Sequence, residues 1–227
     1  MCQYRAAGAA RAVRGWPSGS GSCPSLPGIE GVEIDGSKIF AANAYIGARS
    51  VAAALALDVD VVLVGRTTDA ALVLGPLIHE FGWAEDDLDL LAAGTLAGHL
   101  LECGGQVTGG YFCDPGFKDV PGMDNLGFPI GEIDASGGVV ITKADNTGGM
   151  VTRATVIEQM LYEVHDPAAY LTPDVTLDMT NVTIADDGPN RIRVMGARGK
   201  PPPATLKVTV SADGDPAVSA SLSCCLR

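Results

Sequence analysis

The sequence predicts an α/β protein with a mainly parallel sheet and flanking helices, followed by a small β-rich, antiparallel portion. Strand and helix patterns alternate over residues 38–164, as in a sheet with helical crossovers. The run VDVVLV at 59–64 is apolar almost without a break, as in a strand that is buried on both faces. After Thr172-Pro173 the sequence contains strand patterns alone.

Local patterns predict each element in turn. Strands are predicted at residues 38–42, 59–64, 106–112 and 139–142, and in the β-rich portion at about 177–185, 191–195 and 205–210. Helices are predicted at 48–57, from an N-cap at Thr68 or Asp69, at 84–105 and at 152–164. Gly75-Pro76 is expected to break or restart the second helix, because proline lacks a backbone N–H.

The two ends of the chain differ from its middle. Residues 1–30 contain three arginines before the first acid, Glu30, and are rich in Gly, Ser and Pro. They predict a disordered or non-native leader, with an organellar transit peptide as the alternative. Residues 211–227 show no sustained periodicity and predict an irregular tail. We expect an α/β domain at 31–172, a β-rich portion at 173–210, and a chain that is a piece of a longer protein.

Composition excludes several classes of function. Acidic residues outnumber basic ones by 27 to 15, giving a net charge of −12, so binding to nucleic acid is not expected. No apolar run reaches the roughly 18 residues that would span a bilayer, so no membrane contact is expected. The six cysteines include no C-x-x-C pair, which indicates neither a disulfide framework nor a zinc ribbon and predicts the reducing cytoplasm.

Polar residues follow two of the predicted strands. Asn43 follows the first strand, and Arg66, Thr67 and Asp69 follow the second. Because parallel strands end at one rim of a sheet, we expect these residues to converge there and to bind a phosphate or carboxylate. The alternative is that Asp69 is an ordinary N-cap that pairs with Arg66.

A third turn, Thr147-Gly148-Gly149, precedes the helix predicted at 152–164. Paired glycines permit a nest of backbone N–H groups that can hold an anion. The alternative is an ordinary glycine-rich turn. We expect this turn to reach the same rim of the sheet.

Two further segments contain candidate acid–base groups. The aromatic-rich loop TGGYFCDPGFKDVPGMDNLGFP (108–129) carries Asp114 and Lys118, which could transfer protons or form a local salt bridge. His99 and Glu102 are three residues apart on one helix face, a spacing that could ligate a metal. A buried, hydrogen-bonded His99 is the alternative, with Gly94 and Gly98 permitting close helix contact. No metal site is assigned.

Several longer blocks resemble a known family. They are AANAYIGA (41–48), GRTTDAALVLGPLIHEFGW (65–83), LAAGTLAGHLLECGGQVTGGYF (91–112), DPGFKDVP (114–121), LGFPIGEID (126–134) and LYEVHDPAAYLTPDV (161–175). Over about residues 36–210 the chain is similar to the acyclic terpene utilisation family, AtuA. The resemblance implies a role in the bacterial breakdown of citronellol- and geraniol-type terpenes beside acyl-CoA enzymes, and it names no reaction.

Three hypotheses follow. The first is an enzyme or enzyme component acting on a small carboxylate or acyl-CoA, with anion binding at Arg66, Thr67 and residues 147–149, and proton transfer by Asp114, Lys118 or His99. The second is a non-catalytic partner or scaffold of an acyl-CoA carboxylase or dehydrogenase. The third is a metal-dependent lyase or hydratase. The sequence specifies no cofactor and leaves open a homo-oligomer or an acyl-CoA enzyme as protein partner.

Overall fold

The structure is a computed structural model that describes residues 39–212 and 221–224. The predicted leader at 1–30 lies outside the described residues. The chain divides into two compact units. The described part of the first unit comprises residues 39–46, 63–67, 203–212 and 221–224, and the second unit comprises residues 47–62 and 68–202.

The described helices and strands are as follows in chain order. The helices are α1 (Arg49–Leu55), α2 (Ala71–Phe81), α3 (Leu88–Leu101) and α4 (Arg153–Leu161). The strands are β1 (Ile39–Ala44), β2 (Pro129–Ile133), β3 (Val139–Lys143), β4 (Tyr170–Leu171), β5 (Thr176–Asp178), β6 (Thr183–Asp186), β7 (Ile192–Met195), β8 (Arg198–Lys200), β9 (Leu206–Ala212) and β10 (Ser221–Cys224). Short 3-10 helices lie at Gly104–Gln106 and Met123–Asn125.

The strands form three sheets. The first unit contains one sheet with the strand order β1-β9-β10. The second unit contains two sheets, with the strand orders β2-β3-β7-β6 and β4-β5-β8. Every strand pair in these described sheets is antiparallel. Parallel pairing occurs there only at the isolated bridges Ile46–Thr67 and Leu126–Gly148. Strand β10 lies within the stretch for which an irregular tail was predicted.

The mixture of helices and sheets with a β-rich part agrees with the predicted class, but the mainly parallel sheet is wrong. Residues 59–64 form no strand, and the side chains of Val61 and Leu63 are 81% and 94% exposed. Residues 106–112 also form no strand, because Gln106 ends a 3-10 helix and residues 107–112 form turns, with Gly109 at a φ of +110°. Instead of crossing over through a helix, β2 returns directly as β3, because Asp134 accepts hydrogen bonds from Ser136 N and Gly138 N in the turn.

Helix α3 is the centre of the second unit. Its buried side chains include Leu91, Leu96 and Leu100. A Cβ at Gly98 would lie 2.6 Å from both Cα and the carbonyl oxygen of Ala70, which directly precedes α2. The predicted close helix contact is therefore confirmed at Gly98, where only glycine lets the two backbones approach this closely.

Two details of the predicted helices differ from the structure. Helix α2 continues through Pro76 instead of breaking there. Its N-cap is Ala70, with no side-chain hydrogen bond from Thr68 or Asp69. By contrast, α4 begins close to its predicted start, and Thr152 forms a capping box with Thr155. None of the helices in the described part of the chain is long and apolar enough to cross a membrane.

Candidate functional site

His99 lies in the last turn of α3, and its side chain is 1% exposed. The ring contacts an oxygen on each side: Nδ1 lies 3.1 Å from Glu102 Oε1, and Nε2 lies 3.2 Å from the carbonyl oxygen of Met160. Gln159 Nε2 donates to the carbonyl oxygen of His99 at 2.9 Å. The end of α4 therefore holds both the ring and the backbone of His99. This is the buried, hydrogen-bonded arrangement, which the sequence allows as the alternative to a metal ligand.

Tyr170 on β4 packs against the His99 ring, with 5.3 Å between the ring centroids. Burial raises the pKa of Tyr170 to about 12, and the charge of Glu102 adds to the shift. The phenol therefore stays protonated at neutral pH and can donate a hydrogen bond. Glu102 itself is 13% exposed, so the carboxylate lies at the border between the buried His99 and solvent.

More aromatic and acidic side chains adjoin this cluster. The rings of Tyr111 and Tyr162 meet edge to face at 5.2 Å. The pKa of Tyr162 is raised by its hydrogen bond to Glu163, with smaller contributions from Cys103 and Tyr111. Glu163 and Cys103 also contribute to the raised pKa of Tyr170. We call His99, Glu102 and Tyr170, with these four neighbours, the α3-end cluster.

Sequence reasoning identified His99 and Glu102 in this cluster but not Tyr170. Tyr170 comes about 70 residues after His99, and β4 is only two residues long. No local pattern distinguishes it. Asp69, predicted to bind an anion, is exposed, and its negative charge contributes to the raised pKa of Tyr170. The structure thus associates Asp69 with an acidic region, where an anion would be repelled.

Asp114 and Lys118 form the two ends of a tight turn. Their backbones exchange hydrogen bonds of 3.0 and 2.7 Å. The side chain of Lys118 pairs with Glu158 on α4 at 3.4 Å and lies 4.5 Å from the centre of the Phe112 ring. The lysine therefore ties the loop to α4, and the local salt bridge involves Glu158 instead of Asp114.

The backbone N–H groups of the turn at 147–149 donate hydrogen bonds to the same loop. Gly148 N donates to Asn125 O at 2.7 Å, and Gly149 N donates to Pro121 O at 2.7 Å. Thr147 accepts hydrogen bonds from Lys143 Nζ through its carbonyl and hydroxyl oxygens. Because carbonyl oxygens already take the two glycine N–H groups, this geometry favours the ordinary turn over the anion nest.

The first unit contains a second group of polar residues around Tyr45. The guanidinium of Arg66 lies 5.0 Å from the centre of the Tyr45 ring, and Lys207 Nζ lies 4.9 Å from it. Thr209 Oγ1 donates to the Tyr45 hydroxyl at 3.1 Å. Two cations thus share one aromatic ring, in a chain whose net charge is strongly negative. Lys207 was not identified from the sequence.

The predicted neighbours of Arg66 also lie in this unit. Asn43 is exposed on β1 opposite Thr209. Thr67 is buried, and its hydroxyl donates to Ile46 O at 2.7 Å, across the parallel bridge between these two residues. The structure therefore brings the Asn43 and Arg66 segments together, although no parallel sheet does so.

One buried carboxylate was missed from the sequence. Asp174 is 4% exposed, and its two oxygens lie 2.9 and 2.8 Å from the backbone N of Ala48, at the start of α1. Burial raises the pKa of Asp174, and the hydrogen bond from Ala48 opposes that shift. A Cβ at Gly47 would come within 2.6 Å of this carboxylate. Asp174 therefore fixes the start of α1.

Metal ligation finds no support in this geometry. The described residues contain no group of three or more His, Cys, Asp and Glu side chains that could hold a metal ion. Both ring nitrogens of His99 already face oxygen atoms, so neither is directed at an open position. The pair at positions 99 and 102 is better described as a hydrogen-bonded unit.

A family model described as acyclic terpene utilisation family protein AtuA matches residues 23–225. The chain belongs to this family. No curated protein and no solved structure gives a significant match to it. The predicted resemblance over residues 36–210 is confirmed, and AtuA membership indicates a role in the utilisation of acyclic terpenes. Both the α3-end cluster and the Tyr45 group lie inside the matched range.

Proposed function

We propose that this AtuA chain is a cytoplasmic enzyme, or a component of one, that acts on an acyl-CoA or related carboxylate during the breakdown of acyclic terpenes. The observation that carries the proposal is the contact of the partly exposed Glu102 with the buried His99, beside the protonated phenol of Tyr170. A carboxylate base next to a hydroxyl donor suits proton removal from carbon next to a carbonyl group.

The proposed step is a reversible proton transfer from a substrate carbon to Glu102. Glu102 takes a proton from the carbon next to the thioester carbonyl, so the C–H bond breaks and an O–H bond forms on the carboxylate. The electron pair moves to the carbonyl oxygen, which accepts a hydrogen bond from Tyr170. The raised pKa of Tyr170, about 12, keeps that donor protonated while the enolate forms. Reversal returns the proton, so the step requires no oxidant or reductant.

Binding of an anion is a separate proposal that concerns the first unit alone. Arg66 and Lys207, each about 5 Å from the centre of the Tyr45 ring, provide two cations for a phosphate or carboxylate. Asn43 and Thr67 lie on the neighbouring segments and remain candidates for polar contacts. Asp114 and Lys118 stay as a second acid–base pair, although the contact of Lys118 with Glu158 favours a structural role.

Hydrogen exchange at carbon tests the proposal directly. The chain is incubated in D2O with saturated and unsaturated branched acyl-CoA thioesters, and NMR follows the loss of the proton next to the carbonyl. We expect exchange above the uncatalysed rate, and a loss of roughly 100-fold or more in Glu102→Gln. Glu80→Gln, an exposed glutamate on α2, is the matched control and should exchange normally. Absence of both exchange and any thermal stabilisation by these thioesters would contradict the proposal.

The scaffold hypothesis is supported by one feature, the exposed aromatic side chains of the loop after α3. Phe117 and Phe128 are 88% and 74% exposed, and such side chains are common at protein interfaces. The chain would then co-purify with an acyl-CoA carboxylase or dehydrogenase subunit. Unchanged activity of the assembly after Asp114→Ala, Lys118→Ala and His99→Ala would favour this role over catalysis.

A further inference from the structure

One face of the sheet in the first unit carries polar side chains on the neighbouring strands β1 and β9. Asn43 is paired with Thr209, and Tyr45 lies opposite Lys207, whose carbonyl oxygen accepts a hydrogen bond of 2.9 Å from Tyr45 N. Because alternate residues of a strand share a face, these four side chains lie side by side on one face of the sheet. Val208, which points to the other face, is 8% exposed.

The Tyr45 side chain is held on this face by a contact at its far end. Its hydroxyl oxygen accepts a hydrogen bond of 3.1 Å from Thr209 Oγ1. The hydrogen of the phenol is therefore left for another acceptor, because a hydroxyl group can accept and donate at the same time. Asn43, which is exposed beside Thr209, adds an amide group with two further donor hydrogens.

Arg66 reaches the same ring from a separate segment of the chain. Ile46 N donates to Arg66 O at 3.3 Å, and Thr67 Oγ1 donates to Ile46 O at 2.7 Å, so the backbone around Arg66 is fixed next to Tyr45. Arg66 Cζ and Lys207 Nζ lie 5.0 and 4.9 Å from the centre of the Tyr45 ring. The fold thus brings two cations to one ring, although like charges repel each other.

The charges of the first unit point to an anion as the ligand. Its described residues (39–46, 63–67, 203–212 and 221–224) contain two charged side chains, Arg66 and Lys207, and no acidic one. In the described second unit, by contrast, six Lys and Arg side chains form ion pairs with carboxylates. In a chain with a net charge of −12, the two cations beside Tyr45 are thus grouped where an external anion can neutralise them.

We propose that this face binds a phosphate monoester as the dianion, with Arg66 and Lys207 as the two cations and Asn43 and Tyr45 as further hydrogen-bond donors. A doubly charged ligand neutralises both cations, whereas a carboxylate or a phosphate diester carries one negative charge and leaves one cation uncompensated. A phosphate monoester loses its second proton near pH 6, so it is mostly a dianion at neutral pH. The inference rests on the anion binding proposed for the first unit, but not on proton transfer to Glu102.

NMR titration of the whole chain with small anions tests the charge and class of the ligand. Methyl phosphate, dimethyl phosphate and acetate are added at low salt and about pH 8, where methyl phosphate is a dianion. The backbone amide signals of residues 43–46, 66–67 and 207–209 are followed. We expect saturable shifts with methyl phosphate, and binding of the two monoanions that is weaker by roughly tenfold or more. Equal affinity for all three anions, or no saturable shift of these signals, would overturn the proposal.

Substitutions separate the effect of charge from an effect on folding. Arg66→Gln and Lys207→Gln should each weaken the binding of methyl phosphate roughly tenfold or more, whereas Lys207→Arg keeps the charge and should retain most of the affinity. Arg153→Gln is the matched control, because Arg153 is an exposed arginine of α4 that forms no ion pair with any described residue. Thermal unfolding shows that each variant is folded. Wild-type affinity in both Gln variants at positions 66 and 207 would contradict the proposal.

Coenzyme A and 3′-dephospho-coenzyme A, which differ by one phosphate monoester, distinguish two sources of the ligand. Tighter binding of coenzyme A, with the difference lost in Arg66→Gln, would assign the site to the nucleotide part of a thioester. Equal binding of the two, together with binding of methyl phosphate, would support a different phosphorylated ligand. Phosphate binding without hydrogen exchange at carbon would count against the Glu102 reaction alone, and exchange without phosphate binding would overturn this inference alone.

Discussion

Gly98→Ala tests how closely α3 approaches the start of α2. The new Cβ would lie 2.6 Å from two backbone atoms of Ala70 and 2.9 Å from the Ala70 side chain. Backbone atoms cannot rotate away, so the helices must separate. Overpacking of this kind costs about 1–3 kcal/mol, whereas alanine in place of glycine inside a helix gains about 1 kcal/mol. Because the contacted atoms belong to the backbone, we place the clash in the upper part of that range, at about 2–3 kcal/mol, and the net loss in the free energy of unfolding is then about 1–2 kcal/mol.

Urea denaturation of wild type and Gly98→Ala measures this loss. Ala154→Gly, at an exposed position of α4, is the control that reports helix propensity without a packing change, and it should cost at most about 1 kcal/mol. A Gly98→Ala variant as stable as wild type, with the same dependence on urea, would refute the close approach. Because His99 is the next residue, the same variant should also shift the NMR signals of its ring.

Two further predictions concern carboxylates. Asp174→Ala leaves the buried N–H of Ala48 without its acceptor, and we expect it to lower the free energy of unfolding by about 1–3 kcal/mol. Asp174→Asn should cause a smaller loss. Equal stability of wild type and both variants in urea would contradict the role of Asp174 at the start of α1. Hydrogen bonds from Thr180 and Lys200 lower the pKa of Asp178 to about 2. Because the pKa is lower in the folded protein, ionised Asp178 stabilises the fold at any pH above the ordinary aspartate pKa of about 4. This contribution is lost as the pH falls towards 2. An NMR titration of the carboxyl carbon should show the low value in wild type and a rise in Lys200→Ala; an ordinary value in wild type would contradict the contacts.

The sequence alone was sufficient to predict elements whose short local pattern is compatible with only one structure. The helix at 88–101 was predicted because its apolar spacing and the acidic residues before it act within a few turns of chain, and the helix at 153–161 was also predicted from its local sequence. The need for a small residue at Gly98 was also visible, since glycine inside a helix indicates a close neighbour. Family membership was visible in the longer blocks.

Only the tertiary structure decided how the strands pair and which residues meet. The apolar run at 59–64 looks like a buried strand, but burial depends on partners that a single segment does not specify, and Leu63 is almost fully exposed. Likewise, Tyr170 reaches His99 only because β4 pairs with β5 and α4 contacts the end of α3. Local composition determines helices, whereas contacts between distant segments are set by the packing of the whole unit. For that physical reason, the sequence alone supplied His99 and Glu102, and the fold added Tyr170.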